Sequence, residues 1–319
     1  MNLLVLKLVS QRIALGILLM LAVSLLIFMG TELLPGDVAQ SILGQGATPQ
    51  ALANMRAELD LNDPAWQRYL SWLGGIVQGD LGVSLSNRQD IATSLGRRAG
   101  NTFFLAFWTA LVSIPLAIIL GLVAVRYRNR WPDRVISGST LTAISLPEFF
   151  VGYVMIYFFA VKLQWFPSIS TVNDAMSLGD RLYAIALPAA TLTLIILAHM
   201  MRMTRAALLN VMQSPYIETA ELKGLPGLLI IWRHAFPNSI SPIVNVVMLN
   251  LAFLVVGVVV IEVVFVYPGM GQYLIDHVSK RDLPVVQASG LVFAAVYITV
   301  NIIADIVSIL SNPRLRHPK

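Results

Sequence analysis

From Asn101 to Val125 the chain runs 25 residues without a charged side chain. A bilayer's hydrocarbon core is about 30 Å thick and takes roughly 20 apolar residues to cross as a helix. In lipid every backbone amide must be satisfied within the segment, so a lone stretch of this kind has the helix as its open choice. Five more stretches share the character. Ile13 to Gly30 carries no charge. Val135 to Val161 carries only Glu148, Leu182 to Met201 has His199 as its one ionisable residue, Ile240 to Phe265 has Glu262, and Leu283 to Leu310 has Asp305. The reading is an all-α membrane protein with six transmembrane helices.

Composition agrees. Hydrophobic residues make up 57% and charged residues 12%, against about 45–50% and about 25% in soluble domains, which excludes a soluble enzyme or a disordered chain. The absence of cysteine excludes disulfides, zinc–thiolate sites, iron–sulfur clusters and a thiol nucleophile. A net charge of +5 does not mark a nucleic-acid binder here, because the basic residues sit in short groups beside the apolar spans. Lys7 and Arg12 precede the first span as they would in a signal peptide. That span is longer than the usual h-region of about 7–15 residues and no small-x-small cleavage site follows, so it reads as an uncleaved helix.

With the N-terminus inside, thirteen of the 22 Lys and Arg residues fall on the cytoplasmic side, among them Lys7, Arg12, the 126–134 group, Arg202, Arg205 and the C-terminal group. Most of the others lie in the long 31–100 segment, which counts little toward orientation. Both termini are therefore expected to be cytoplasmic. Residues 1–97 read as the first span plus a large external loop, 98–311 as the main transmembrane domain and 312–319 as a cytoplasmic tail. Trp66 and Trp72 make the 31–100 loop look like a small folded cap. Residues 202–239 form a polar cytoplasmic loop, and 266–284 form a short external one containing Tyr267-Pro268-Gly269-Met270-Gly271.

Several chemistries are missing. There is no phosphate-binding Gly-x4-Gly-Lys-Ser/Thr loop, no His-Glu-x-x-His and no Gly-x-Ser-x-Gly elbow, and the four histidines lack metal-ligand spacing. The chain should hydrolyse no ATP and hold no metal or cofactor. Intramembrane carboxylates are expensive and so are functional candidates. Glu148 follows Pro147, which should kink the third span, and the pair could line or gate a pathway or simply cap freed backbone. Glu262 is a pathway or anchoring candidate near the outer end of its span. A self-contained transporter or membrane enzyme would need coupling or catalytic groups at mid-membrane, and only Glu148 qualifies.

The 202–239 loop is the most informative stretch. Helix formers over 203–223 break at Ser214-Pro215, Gly224 supplies a left-handed stop, and Pro226 forbids continuation. A second helical stretch, Leu228 to Phe236, is expected to end near Pro237. Ala220 and Gly224 are small enough for another protein to approach closely, and Glu218 offers it a charge.

The spacing Glu218-Thr219-Ala220-x3-Gly224 followed by Phe236-Pro237 resembles the EAA loop of ABC importer membrane subunits, with Thr219 in place of the usual Ala and His234 in place of the usual Ile. Leu34-Pro35-Gly36-Asp37, Gly79-Asp80-Leu81-Gly82-x-Ser84-Leu85, Ser145-Leu146-Pro147-x-Phe149 and Trp165-Phe166-Pro167 resemble the dipeptide/oligopeptide/nickel permease family. So do Glu262-x2-Phe265-x2-Pro268-Gly269-x-Gly271, Arg281-Asp282-x-Pro284 and the ending Asn312-Pro313-Arg314-Leu315-Arg316. Asp60 departs where the family often has Gly. The resemblance implies the type I importer permease fold in a bacterial cytoplasmic (inner) membrane, the first permease of a pair. It implies a second permease subunit, two ATPase domains holding ATP and Mg, and an external binding protein that delivers the solute, most simply a di- or oligopeptide. On that resemblance Glu218, Thr219, Ala220, Gly224, Phe236 and Pro237 couple to the ATPase, and Pro268, Gly269 and Gly271 with the cap face the binding protein; Pro147, Glu148 and Glu262 are pathway candidates as intramembrane groups.

Overall fold

The computed structural model describes residues 3–33, 38–44 and 46–311. The Leu34–Asp37 and Asn312–Arg316 motifs lie outside the described residues. Apart from an isolated bridge between Val83 and Asp90, the regular structure among those residues is helical. In chain order the helices are α1 (Leu3–Glu32), α2 (Val38–Leu43), α3 (Pro49–Glu58), α4 (Ala65–Val77), α5 (Ile91–Arg126) and α6 (Trp131–Ser145). Then come α7 (Glu148–Lys162), α8 (Leu178–Ala184), α9 (Ala186–Met212), α10 (Pro215–Leu222), α11 (Gly227–Val264), α12 (Met270–Ser279) and α13 (Leu283–Ser311).

Five helices, α1, α5, α9, α11 and α13, are long and apolar enough to cross a membrane. The third expected span is not one straight helix. It is the pair α6 and α7, bent by 105°. The kink expected at Pro147 is a full break: Leu146 and Pro147 are both extended (ψ 135° and 140°), and α7 starts afresh at Glu148. Proline disfavours helical geometry in the residue before it, so two residues leave the helix together.

Helix ends also outrun the charge-free stretches. α5 begins ten residues before Asn101 and passes through Arg97 and Arg98, while α9 continues past Arg202 and Arg205. Charge ends a hydrocarbon span but not a helix. The expected stop near Pro237 does not occur, and α11 runs through it. A π turn over Ile230–Ala235 precedes the proline, with the Phe236 N–H donating to the Ile231 carbonyl five residues back. That wider turn gives the pyrrolidine ring room where an α-turn would clash.

The chain divides into two compact units that interleave along the sequence, where the expected cut lay at residue 97. The first comprises Met1–Ala14, Phe103–Tyr267 and Thr299–Lys319, and the second Leu15–Thr102 and Pro268–Ile298. In the first, α9 packs on α6, α7 and α11 around Leu192, Met200, Val258, Ile261 and Tyr267. Close approach relies on missing side chains. A Cβ at Gly121 would stand 2.9 Å from Thr204, and one at Gly152 2.9 Å from Val264, the small-residue packing usual between membrane helices. In the second, Ile91, Leu95, Met270, Tyr273, Val285 and Ala288 form the core.

One helix ending recurs. After α3, α4, α10, α11 and α12 the residue two past the helix is left-handed: Asp60 (φ 53°), Gly79 (84°), Gly224 (73°), Val266 (49°) and Arg281 (54°). Each time the next N–H donates to the carbonyl five residues back, as Leu225 does to Ala220 at 3.3 Å and Tyr267 to Glu262 at 2.8 Å. This pairing satisfies carbonyls that a helix end otherwise leaves without partners.

Candidate functional site

The 213–226 elbow is built by local chemistry. Ser214 is extended and Pro215 opens α10 at its first position, where a missing N–H costs nothing. Ile217 and Ala220, three residues apart, lie on one face and are buried with Ile230 and Ala235. Ala220 is buried within this chain. Its small side chain lets α10 lie against the π turn of α11 within this chain. Leu225, after the left-handed Gly224, packs on the same cluster. The outer face is Tyr216, Glu218, Thr219, Glu221 and Leu222, all exposed, with Leu222 at 83%. Thr219 turns its hydroxyl back to the Pro215 carbonyl at 3.0 Å. Phe236 is half-buried and Pro237 exposed in the turn that follows the π segment.

Beside the elbow lies an ion pair that sequence reading missed. On α9, Arg205 donates from Nε to Oδ1 of Asp133 at 2.8 Å and from Nη2 to Oδ2 at 2.9 Å. Asp133 also accepts from the Asn129 N–H at 2.9 Å and the Ser137 hydroxyl at 3.2 Å. The carboxylate is buried and the guanidinium about a quarter exposed. A two-point clamp of this kind is directional as well as strong. It ties α9, ten residues before α10 begins, to the start of α6 and the 127–130 turn. Arg205 entered the sequence reading only as a positive-inside charge, and nothing in the spacing of residues 133 and 205 marks the pair.

The pathway candidates separate. Glu148 is half-buried at the first position of α7, after Pro147, and its carboxylate lies over Gly257 of α11. Glu262 is fully buried, so in this conformation it does not line an open path. Its carbonyl accepts the Tyr267 N–H. Tyr267 is itself fully buried, and burial, followed by the Glu262 charge, pushes its hydroxyl far above the ordinary value of 10. The neighbouring Phe265 carbonyl takes the Ser170 N–H at 2.9 Å.

In the second unit the Pro268–Gly271 turn is an anchor. Asn101 donates to the Pro268 carbonyl at 2.9 Å, and the Met270 N–H donates to the Thr102 hydroxyl at 2.9 Å. Gly269 and Gly271 are buried. Their small size allows the turn to pack against the start of α5. Two sequence motifs meet nearby. Asp282 accepts from the Ser84 hydroxyl at 2.6 Å, the Ser86 N–H at 3.0 Å and the Leu85 N–H at 3.1 Å. Burial alone would raise its pKa, but these donors together outweigh burial and hold the carboxyl below its ordinary 3.8. A cleft of about 760 Å³ opens in the same unit, lined by Thr31, Glu32, Asp63, Arg68, Trp72 and Gln287 among others, with Arg68 paired to Glu32.

Comparison with known proteins covers nearly the whole chain. The family described as binding-protein-dependent transport system inner membrane component matches residues 113–317, and its N-terminal companion matches residues 5–106. The glutathione transport system permease protein GsiC of Escherichia coli is 33% identical over 295 residues, 92% of this chain and 94% of that protein. A Brucella abortus chain named as a peptide transport system permease protein is 35% identical over 310 residues, 97% of this chain and 99% of its own length. These relatives are transport subunits, not enzymes, which disfavours a self-contained transporter or membrane enzyme. The chain therefore belongs to the inner-membrane components of binding-protein-dependent transport systems: it is a multi-pass permease subunit of an ABC importer in a bacterial inner membrane, and ATP is hydrolysed by other subunits.

Proposed function

We propose that this permease provides half of a translocation pathway for a di- or oligopeptide-type solute and that α10 is where ATP-driven closure enters it. The carrying observation is the elbow. Its inner face is buried on α11 while Tyr216, Glu218, Glu221 and Leu222 are left outward without a covering element. An eight-residue helix with one apolar face packed and a second partly apolar face exposed suits a docking knob. On this reading both termini and the elbow are cytoplasmic, Glu218, Thr219 and Gly224 meet the ATPase, and Ala220, Phe236 and Pro237 brace the knob from behind.

The partners follow: a second permease, two ATPase domains or subunits carrying ATP and Mg, and an external binding protein. The cap over residues 31–100, with its charged cleft, is the face offered to that protein. The relatives' names supply the solute class, since peptides and glutathione share amide bonds, a free amine and carboxylates.

A tagged chain isolated from native membrane in mild detergent tests the reading. A sister permease and nucleotide-binding subunits should copurify with ATPase activity. Glu218→Arg together with Leu222→Asp should release the nucleotide-binding subunits and spare the sister permease. A chain that purifies alone, or a double variant that retains the ATPase, overturns it.

A further inference from the structure

Two membrane-level ionisable groups lie on one face of α11. The Glu148 carboxylate occupies the space that a side chain at Gly257 would fill: a Cβ there would be 3.5 Å from Oε2 and 3.7 Å from Oε1. The His199 ring of α9 lies 5.8 Å, centroid to centroid, from Phe253. Phe253 and Gly257 are four residues apart, one helical turn, about 6 Å along the axis. Both ionisable groups are half-buried, and Phe253 is 42% exposed. Neither group makes a hydrogen bond or ion pair among the described residues. Arg202, three residues further along α9, adds positive potential on the His199 side. Three other carboxylates in or beside the spans of this unit differ: Asp133 is clamped by Arg205, Asp305 pairs with Arg12, and Glu262 is fully buried.

A carboxylate held at membrane depth without a partner is costly unless something else supplies the partner. Its site also has a built complement: an anionic group, Glu148, at Gly257, and a donor, His199, beside the exposed Phe253 ring one turn away on α11. We infer that Glu148 and His199 form a solute contact in the pathway, with Glu148 taking an ammonium group and His199 donating to a carbonyl or carboxylate of the same molecule. The ligand class is a small zwitterion with a free amine. Gly257 serves the site by leaving room for the carboxylate, and the 105° break at Leu146-Pro147 delivers Glu148 to it at the start of a fresh helix. The inference rests on the permease reading above and deepens it.

The test needs no knowledge of the cargo. The chain contains no cysteine, so Phe253→Cys introduces its one thiol beside His199 and one turn of α11 from the Gly257 site of Glu148. In the assembled transporter, its modification by a cationic (trimethylammonium-ethyl) and an anionic (sulfonatoethyl) methanethiosulfonate is followed by the mass of this chain. Each rate is divided by that of the same reagent with free cysteamine. The thiol should react from water in the resting or the ATP-bound state, with a normalised preference for the cationic reagent. Adding Glu148→Gln should lower that preference by about threefold or more, the size expected of one nearby carboxylate in a partly wet site. Glu148→Asp should keep most of it.

A thiol that is silent in both states overturns the inference, because the site is then sealed from solute. So does a preference unchanged by Glu148→Gln. A large fall in Tm for Glu148→Gln with no change in preference would mark the carboxylate as a helix-terminal support instead. Copurification of the ATPase reports separately on the permease reading, so the two failures are distinguishable.

Discussion

Gly224 should be glycine because of its backbone and not because of space. Its φ is +73°, and a Cβ built there meets nothing within 4 Å. In this chain alone, then, Gly224→Ala costs only the left-handed conformation, about 1–2 kcal/mol for an L-residue. That corresponds to a population of the opened turn larger by about 5–30-fold. The turn is reported by two amides, Gly224 donating to Glu221 at 2.9 Å and Leu225 donating to Ala220 at 3.3 Å. Hydrogen exchange at the Leu225 amide in the purified complex should accelerate by that factor in Gly224→Ala. Gly224→Asn should stay within about threefold of wild type, because a short polar side chain tolerates this region. The chain contains its own precedent, since Asp60 holds φ 53° in the same turn after α3. Solute uptake per ATP should follow the same order, with Asn close to Gly and Ala below both. Equal exchange in Ala and wild type would refute the conformational argument. Slow exchange in Asn with uptake lost would show that a partner fills the open space and that bulk, not φ, selects glycine.

Three more outcomes follow from the geometry. Asp133→Asn should lower Tm in detergent by several degrees, reflecting about 2–3 kcal/mol, somewhat under the range for fully buried pairs because Arg205 is partly exposed; Arg205→Lys should recover only part of the clamp, since an ammonium cannot make the two-point contact. Asp282 has a folded pKa below its ordinary 3.8, so its contribution is present above the unfolded value and is lost as pH falls through the folded one. Emission from Trp72 should report loosening of the second unit below about pH 4, and Asp282→Asn should be less stable at neutral pH with that acid step flattened. Val266→Gly should raise Tm, because a β-branched residue at φ 49° is strained and glycine relieves about 1–2 kcal/mol; an unchanged or lower Tm would show that packing at Val266 outweighs the backbone.

What was legible in the sequence is what local chemistry decides. Long uncharged runs fix where helices must lie, and Ser214-Pro215, Gly224 and Pro226 bound α10 because capping acts within a few residues. Asp60, the departure from a familial glycine, falls at a left-handed position, and aspartate is among the residues that accept one. Two of the misreadings share a cause, which is that proline acts through its neighbours. At Pro147 an extended Leu146 turns a kink into a 105° break, whereas at Pro237 a preceding π turn removes the break altogether. The ring is the same in both cases, and only the turn before it differs.

Small residues hide in the same way. Ala220 reads as room for a partner by its size, and Gly269 and Gly271 as a partner-facing turn by resemblance; a missing side chain looks the same whether the neighbour is another chain or this one. All three are buried within this chain. Long-range polar pairs are the least legible of all. Asp282 meets Ser84 across 198 positions, and Asp133 meets Arg205 across 72, distances over which no spacing rule holds. Yet these carboxylates could be ranked in advance by cost: a charge in or beside a span must find donors. Asp133 and Asp282 have found theirs within the chain, and Glu148 has not. On the inference drawn above, that difference separates a carboxylate that holds the fold from one placed to meet something that passes through it.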